Sequence, residues 1–184
     1  SDHIQWYSWA GERDQADDDF VRPAVAVGDR IVDPPVALLT VMAVPLMGAV
    51  PASLTARRSV VLSVGGFNDD FRDMYEDQVF TTKIYLEHRV YVLQEILVKY
   101  RRHPASWTRY LKESGQFVDG LAHPTTDAFH AWRRNYLQSR AVSHPLLQEL
   151  SDLERRSGSG VPKHLRSLLT PAVGRAKVSV ERRL

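Results

Sequence analysis

The spacing of apolar residues changes several times along the chain, and each change predicts a new element. The opening HIQWYSW (residues 3–9) alternates as a strand does, with Ile4 and Trp6 on one face. The run PPVALLTVMAV (34–44) predicts a helix that has two prolines near its start. The segment VPASLTARRSVVLSVGGF (50–67) indicates a strand, then a short helix, then a stop at a pair of glycines.

The second half of the chain carries longer helical patterns. YEDQVFTTKIYLEH (75–88) predicts a helix, and RVYVLQEILVKYRRH (89–103) predicts one or two strands. Apolar residues at helical spacing predict amphipathic helices over TTDAFHAWRRNYLQSR (125–140) and HPLLQELSDLERR (144–156). Because strands and helices alternate along the chain, the expected fold class is α/β.

Composition narrows the class of protein. The 184 residues are 43% hydrophobic and 25% charged, which is ordinary for a globular domain with its own core. The absence of cysteine excludes disulfides and thiolate metal sites. No secretory signal opens the chain, and its longest apolar stretch (34–51) is too short and too interrupted by proline to span a bilayer. We therefore expect a cytoplasmic protein.

Charge is distributed unevenly along the chain. From Ser151 onward there are eight Lys or Arg residues against three acids, whereas the whole chain carries only +2. We expect residues 157–184 to form a basic tail, which begins within the linker-like segment RSGSGVPKH (156–164). Such a tail is a candidate for peripheral contact with the inner face of an anionic membrane, although a basic tail is more often simply a solvated terminus. We expect no nucleic-acid partner.

Two adjacent acids, Glu76 and Asp77, stand at the predicted start of a helix. A carboxylate at this position is favoured by the helix dipole alone, so capping is one explanation and catalysis is the other. The three acids in QADDDFVRP have no strand before them and indicate a polar loop. The chain contains no P-loop, no GxGxxG, no G-x-S-x-G and no H-E-x-x-H.

An ordered set of short motifs resembles the C-terminal half of a family 2 glycosyltransferase with the GT-A fold. The motifs are PASLTARR, VGGFNDDF, MYEDQVF and KYRRHPAS, and the resemblance covers about residues 3–110. It implies a partial GT-A fold, a Rossmann-like nucleotide-diphospho-sugar transferase fold, followed by C-terminal helices over 111–156. The implied activity is sugar transfer from a nucleotide-sugar donor to a hydroxyl of a glycan or lipid-linked acceptor, with inversion.

The resemblance also implies roles for the acceptor side. Asp77 matches the catalytic base, which takes the proton of the acceptor hydroxyl. Glu76 matches a residue that contacts the acceptor or caps the helix. Around them, the residues implied to lie beside the acceptor sugar are Gly65, Gly66, Tyr75 and Ser53. Phe67, next to the glycines, is expected to be a packing residue.

On the donor side, the resemblance implies that the end of the last strand contacts the diphosphate or the metal. The matching residues are Arg101, Arg102, His103 and Ser106. A divalent cation, Mg²⁺ or Mn²⁺, is expected mainly from a DxD motif that this chain lacks. The chain thus looks like the family without its N-terminal donor-binding half, and we expect it to be inactive alone. The alternative is a non-catalytic glycan-binding or scaffold module derived from such a fold.

Overall fold

The computed structural model describes residues 1–10, 19–22, 29–43, 48–72, 74–103, 105–106, 110, 113–115 and 124–157. Within these ranges the chain is mixed α/β, with two small sheets and five α-helices. The predicted α/β class is confirmed at this level. The predicted linker and basic tail lie outside the described residues, apart from the last residues of the final helix.

The strands are β1 (Asp2–Trp6), β2 (Phe20–Arg22), β3 (Arg30–Val32), β4 (Val90–Val92) and β5 (Ile96–Arg101). The helices are α1 (Val36–Ala43), α2 (Arg58–Ser63), α3 (Glu76–Glu87), α4 (Pro124–Ser139) and α5 (Pro145–Ser157). Every predicted helix is therefore present, and both predicted strands of 89–103 are confirmed. No helix in the described part of the chain is long and apolar enough to cross a membrane.

The larger sheet joins two segments that are far apart in the sequence. Its strand order is β2-β1-β5, and β1 runs antiparallel to β2 but parallel to β5. The parallel pairing places His3 opposite Val98 and Trp6 opposite Arg101. As a result, the C-terminal ends of β1 and β5 lie side by side, at the edge of the sheet where the predicted donor-side residues begin.

The more buried face of β1 is polar rather than apolar. His3 and Gln5 are almost fully buried, whereas Ile4 and Trp6 are only half-buried. The Gln5 amide nitrogen donates to His3 Nε2 over 2.8 Å, which fits a neutral imidazole. Burial, with added repulsion from Arg22 and the chain N-terminus, lowers the pKa of His3 to about 4. A neutral histidine is the form that a closed, largely dry environment favours.

The main hydrophobic core lies between helices and the smaller sheet. The apolar helix α1 packs against α3 and α5, and its side chains Leu38 and Leu39 are buried. β3 and β4 pair antiparallel and contribute Val32 and Val92 to the same core. A second, aromatic cluster forms where α3 meets α4, around Phe71, Val79 and Phe129. α3, which carries Glu76 and Asp77, therefore contributes side chains to both clusters, and packing on two sides fixes its position.

Two predictions about the strands were wrong. The predicted strand after residue 50 is a 3-10 turn over Pro51–Ser53, in which Val50 O accepts from both the backbone N–H and the hydroxyl of Ser53. The proline at its start has no N–H to donate to a strand ladder, and it suits the first position of a helical turn. Conversely, Phe20–Arg22, predicted as polar loop, forms the short strand β2.

Candidate functional site

The predicted diglycine stop has the geometry that two glycines allow. Gly65 and Gly66 adopt positive φ angles of 74° and 62°. Gly66 N–H donates to Val61 O and Gly65 N–H donates to Leu62 O, which is the Schellman arrangement at the end of α2. A side chain would strain the backbone at both positions, so the sequence dictates a sharp, hydrogen-bonded turn here.

The residue before α3 also has an unusual backbone. Tyr75 adopts a left-handed conformation with φ 71° although it is not glycine, and its carbonyl accepts the first hydrogen bond of the helix from Val79 N–H. Its ring stacks on Phe129 of α4 at 4.6 Å, and its hydroxyl lies 2.8 Å from Thr126 Oγ1. These contacts offset the backbone strain and fix the point from which α3 begins.

Asp77 lies in the first turn of α3 and is half-buried. Burial raises the pKa of Asp77, and the neighbouring negative charge of Glu76 raises it further. A carboxylate whose pKa is raised is a stronger proton acceptor when it is ionised. No ion pair neutralises Asp77 or Glu76 among the residues that the structure describes. Hydrogen bonds from the backbone N–H groups of Gln78 and of Asp77 itself act in the opposite direction and lower the pKa. The environment is therefore compatible with both a general base and a helix cap.

Lys83 connects the diglycine turn to α3, and the sequence analysis did not single it out. Its ammonium group donates to Gly66 O at 2.8 Å and to Val64 O at 3.2 Å, and the residue is only 7% exposed. Burial lowers the pKa of Lys83. Helical spacing in the sequence indicates this burial: Lys83 follows Phe80 by three residues and Val79 by four. It therefore lies on the same face of the helix as these two buried residues.

Phe67 packs on α3 as expected, because its ring stacks on the buried ring of Phe80 at 4.5 Å and 19°. The residue as a whole nevertheless remains 55% exposed. The diglycine turn and Phe67 contact α3 at Phe80 and Lys83. We call this turn, the start of α3 and Lys83 the acceptor-side cluster: Gly65, Gly66, Phe67, Tyr75, Glu76, Asp77 and Lys83.

The predicted donor-side arginines lie over aromatic rings contributed by β1, the residues that follow it, and β5. The Arg101 guanidinium lies over Trp9 at 4.8 Å and near Trp6 at 5.8 Å. Arg102 lies near the rings of Tyr7 and Tyr100 at 5.9 and 5.7 Å. Such contacts fix the orientation of guanidinium groups while leaving their N–H donors available for an anion.

The backbone at the end of β5 is fixed from two sides. Arg102 O accepts a hydrogen bond of 2.6 Å from Trp9 Nε1, and Arg102 N–H donates to Trp6 O. His103 follows as an exposed residue whose carbonyl accepts from Ser106 N–H. The four predicted donor-side residues therefore lie on one short segment that begins with the last residue of β5: Arg101, Arg102, His103 and Ser106.

The remaining predicted residues lie apart from the acceptor-side cluster. Ser53 is in the 3-10 turn that packs near β5, and its carbonyl accepts from the N-terminal amine of Ser1 over 3.3 Å. Within the described part of the chain, no hydrogen bond, ion pair or ring contact joins Asp77 to Arg101, Arg102 or His103. The structure links the diglycine turn to α3 through Lys83 and Phe80, and it places Tyr75, Glu76 and Asp77 at the start of that helix. The arginines lie elsewhere, at the end of β5.

Asp19 is the described member of the acidic run in QADDDFVRP. Its carboxylate accepts from the backbone N–H groups of Tyr7 and Ser8 and from the Ser8 hydroxyl at 2.6–3.0 Å. Burial alone would raise the pKa of Asp19, but these hydrogen bonds together lower it. Asp19, which immediately precedes β2, is thus hydrogen-bonded to the two residues near the end of β1, Tyr7 and Ser8. Among the described residues, no three His, Asp or Glu side chains are grouped closely enough to hold a metal ion.

The chain has no detectable relative among known proteins: no protein-family model, curated protein or solved structure matches it.

Proposed function

We propose that this chain forms the acceptor-side part of an inverting, family 2-like glycosyltransferase with a GT-A fold, and that Asp77 is its catalytic base. The observation that carries the proposal is the placement of Asp77. A half-buried carboxylate whose pKa is raised stands at the first turn of a helix, and that helix is tied by Lys83 to the diglycine turn. The ordered motifs of the sequence support the same assignment.

In the proposed reaction, the carboxylate of Asp77 accepts the proton of an acceptor hydroxyl. The oxygen of that hydroxyl attacks the anomeric carbon of a nucleotide-sugar, and the bond to the nucleoside diphosphate breaks as the new glycosidic bond forms. A single displacement of this kind inverts the anomeric configuration. The acid–base step requires only that the carboxylate lies within hydrogen-bond reach of the attacking oxygen.

The neighbours of Asp77 would position the acceptor. Glu76 keeps the local potential negative, which helps to raise the pKa of Asp77. The turn at Gly65 and Gly66 lets an acceptor approach the backbone, since no side chain stands there. Tyr75 is held by Phe129 and Thr126 and fixes where α3 begins.

Only four described residues of this chain belong to the proposed donor side. Arg101 and Arg102 supply guanidinium donors that match the oxygens of a diphosphate, and His103 and Ser106 follow them after β5. The described residues do not by themselves form a metal site. A divalent cation would neutralise the departing diphosphate, and we propose that it is held mainly by a DxD motif outside this chain.

The test replaces Asp77 by Asn in the complete natural polypeptide that contains this chain. Transfer from a panel of UDP-, GDP- and dTDP-sugars is followed by mass spectrometry of the product, and donor binding is measured by calorimetry. We expect transfer to fall by roughly 10²–10⁴-fold, because a general base contributes about that much, while donor binding stays nearly unchanged. Asp127→Asn is the matched control, since Asp127 is an exposed acid in the first turn of α4.

Two outcomes would contradict the proposal. Near-normal transfer by the Asp77→Asn variant would show that another group takes the proton. A wild-type protein that binds glycans but neither binds nor uses nucleotide-sugars in the presence of Mg²⁺ or Mn²⁺ would instead be a glycan-binding module. The mass of the native polypeptide, measured by immunoblot, shows which protein has to be assayed.

A further inference from the structure

Two contacts from α4 hold the residue that precedes α3. The Tyr75 ring stacks on Phe129 at 4.6 Å and 7°, and the Tyr75 hydroxyl lies 2.8 Å from Thr126 Oγ1. We propose that Thr126 is a positioning residue, which acts through Tyr75 to fix the orientation of the Asp77 carboxylate. This inference rests on the proposed function and adds to it a residue from a separate helix, 51 positions after Tyr75.

Tyr75 needs this support because its backbone conformation is unfavourable. A left-handed φ of 71° is disfavoured for any residue with a Cβ atom, and it persists only where surrounding contacts hold it. Stacking on Phe129 covers the ring but constrains its lateral position weakly. A hydrogen bond is directional, so the contact with Thr126 fixes the far end of the side chain.

The backbone of Tyr75 controls the first turn of α3. Its carbonyl accepts a hydrogen bond of 2.8 Å from Val79 N–H, which closes that turn. Asp77 is the second residue of the helix, and its carboxylate accepts hydrogen bonds from the backbone N–H groups of Gln78 and of Asp77 itself. The carboxylate therefore moves with the turn, and the turn depends on the conformation of Tyr75.

α4 can act as an anchor because it is also attached to the other end of α3. The Tyr136 hydroxyl donates to the carboxylate of Glu87, the last residue of α3, and the Arg140 guanidinium lies 3.1 Å from the same carboxylate. Between the two ends, the Trp132 ring stacks on Phe129 at 6.3 Å and on Tyr136 at 5.1 Å. α4 therefore cannot shift along α3 without breaking one of these attachments.

The test compares Thr126→Val, which removes the hydroxyl, with Thr126→Ser, which keeps it. In the full 184-residue chain, NMR measures amide exchange at Val79 and the pKa of the Asp77 carboxyl. For Thr126→Val we expect exchange at Val79 to become roughly three- to tenfold faster, the range for loss of one hydrogen bond. Because burial raises the pKa of Asp77, a displaced first turn should lower it. Thr126→Ser should resemble the wild type in both measurements.

Tyr75→Phe removes the same contact from its other side. It should reproduce the effects of Thr126→Val, and the double variant should add nothing further. If Thr126→Val does not fold, Tyr75→Phe alone decides the question. Ser139→Ala is the matched control, because it removes a hydroxyl hydrogen bond of 2.8 Å to Tyr136 O at the opposite end of α4. It should change neither measurement.

The inference is overturned if Thr126→Val leaves Val79 exchange and the Asp77 pKa unchanged, or if Ser139→Ala alters them as much. Equally faster exchange at His88, whose N–H donates to Ile84 O at the end of α3, would show general destabilisation and would also overturn it. A loss that Thr126→Ser does not restore counts against the hydroxyl contact.

In the complete natural polypeptide, Thr126→Val should lower kcat by roughly three- to tenfold and leave the KM for the donor unchanged, because only the proton acceptor is displaced. A variant with an altered Asp77 pKa but wild-type kcat would overturn the inference. If Asp77→Asn abolishes transfer while Thr126→Val changes nothing, only the positioning role is wrong. If Thr126→Val changes Val79 exchange and the Asp77 pKa but Asp77→Asn transfers sugar normally, Thr126 still positions Asp77, and Asp77 is not the base.

Discussion

Replacing Lys83 by Met removes the tie between the diglycine turn and α3 while keeping most of the side-chain volume. The wild-type ammonium group donates to two backbone carbonyls, Gly66 O at 2.8 Å and Val64 O at 3.2 Å. Hydrogen bonds from a charged donor contribute about 1.5–3 kcal/mol each. The cost of burying the ammonium group, visible in the lowered pKa of Lys83, offsets part of that gain. We therefore expect a net loss of about 2 kcal/mol in the free energy of unfolding.

The loss is measured by urea denaturation followed by circular dichroism, with amide hydrogen exchange of Gly66 as a local measurement. A change of about 2 kcal/mol corresponds to a decrease in Tm of roughly 4–8 °C for a chain of this size. Lys99→Met is the matched control, because Lys99 is exposed and its ammonium group lies 5.1 Å from the Trp6 ring without being buried. Its charge also acts on Asp19, whose pKa it helps to lower. The control should cost less than about 1 kcal/mol.

The reasoning is refuted if Lys83→Met unfolds at the wild-type urea concentration, or if it costs no more than Lys99→Met. Unchanged exchange at Gly66 in a destabilised variant would show that Lys83 supports the core generally and does not hold the turn. Faster exchange at Gly66, with little change in α4, would locate the effect at the acceptor-side cluster.

Three further predictions concern His3, Gly65 and Asp77. Native His3 has a pKa of about 4, against 6.5 for the free side chain, so the unfolded chain binds more protons than the native chain between those pH values. The free energy of unfolding should therefore fall by up to about 3 kcal/mol as the pH drops from 6.5 to 4. Urea titrations across that range should show a shallower slope for His3→Leu, and equal slopes would contradict the assignment. Gly65→Ala should cost about 1–2 kcal/mol, because its φ of 74° is strained for alanine although the added Cβ would meet nothing within 4 Å; a neutral result in thermal unfolding would be inconsistent with that backbone. Asp77→Asn should unfold at the same or a higher urea concentration than the wild type at pH 7, because the raised pKa of Asp77 means that its charge destabilises the native state, and a clearly destabilised variant would indicate a structural role.

The helices could be predicted because their apolar periodicity extends over many residues. α3, α4 and α5 each bury residues at helical spacing, and the structure has them close to the predicted bounds. The strands β2 and β3 have three residues each, which is too short for an alternating pattern to stand out from a loop. The buried polar face of β1 was also unpredictable, since periodicity assigns apolar residues to the interior.

The candidate site could be predicted in part. The diglycine turn and the first turn of α3 follow from local rules about glycine and helix starts, so Gly65, Gly66 and Asp77 were found from the sequence. Lys83 was not, because its burial contradicts the usual preference of its residue type. A lysine is expected in solvent, and only tertiary contacts place this one in the interior.

The parallel pairing of β1 with β5 has a consequence for synthesis of the chain. His3 pairs with Val98, so the partner of β1 is translated roughly 95 residues later. At about 5–20 residues per second, the strand waits some 5–20 s on the ribosome before its sheet can close. Among the described strands, β2 alone pairs with β1 before β5 is made. The edge of β1 that β5 covers in the native sheet therefore lacks this partner for seconds, which makes this the stage at which a chaperone or an aggregating partner would compete with the native fold.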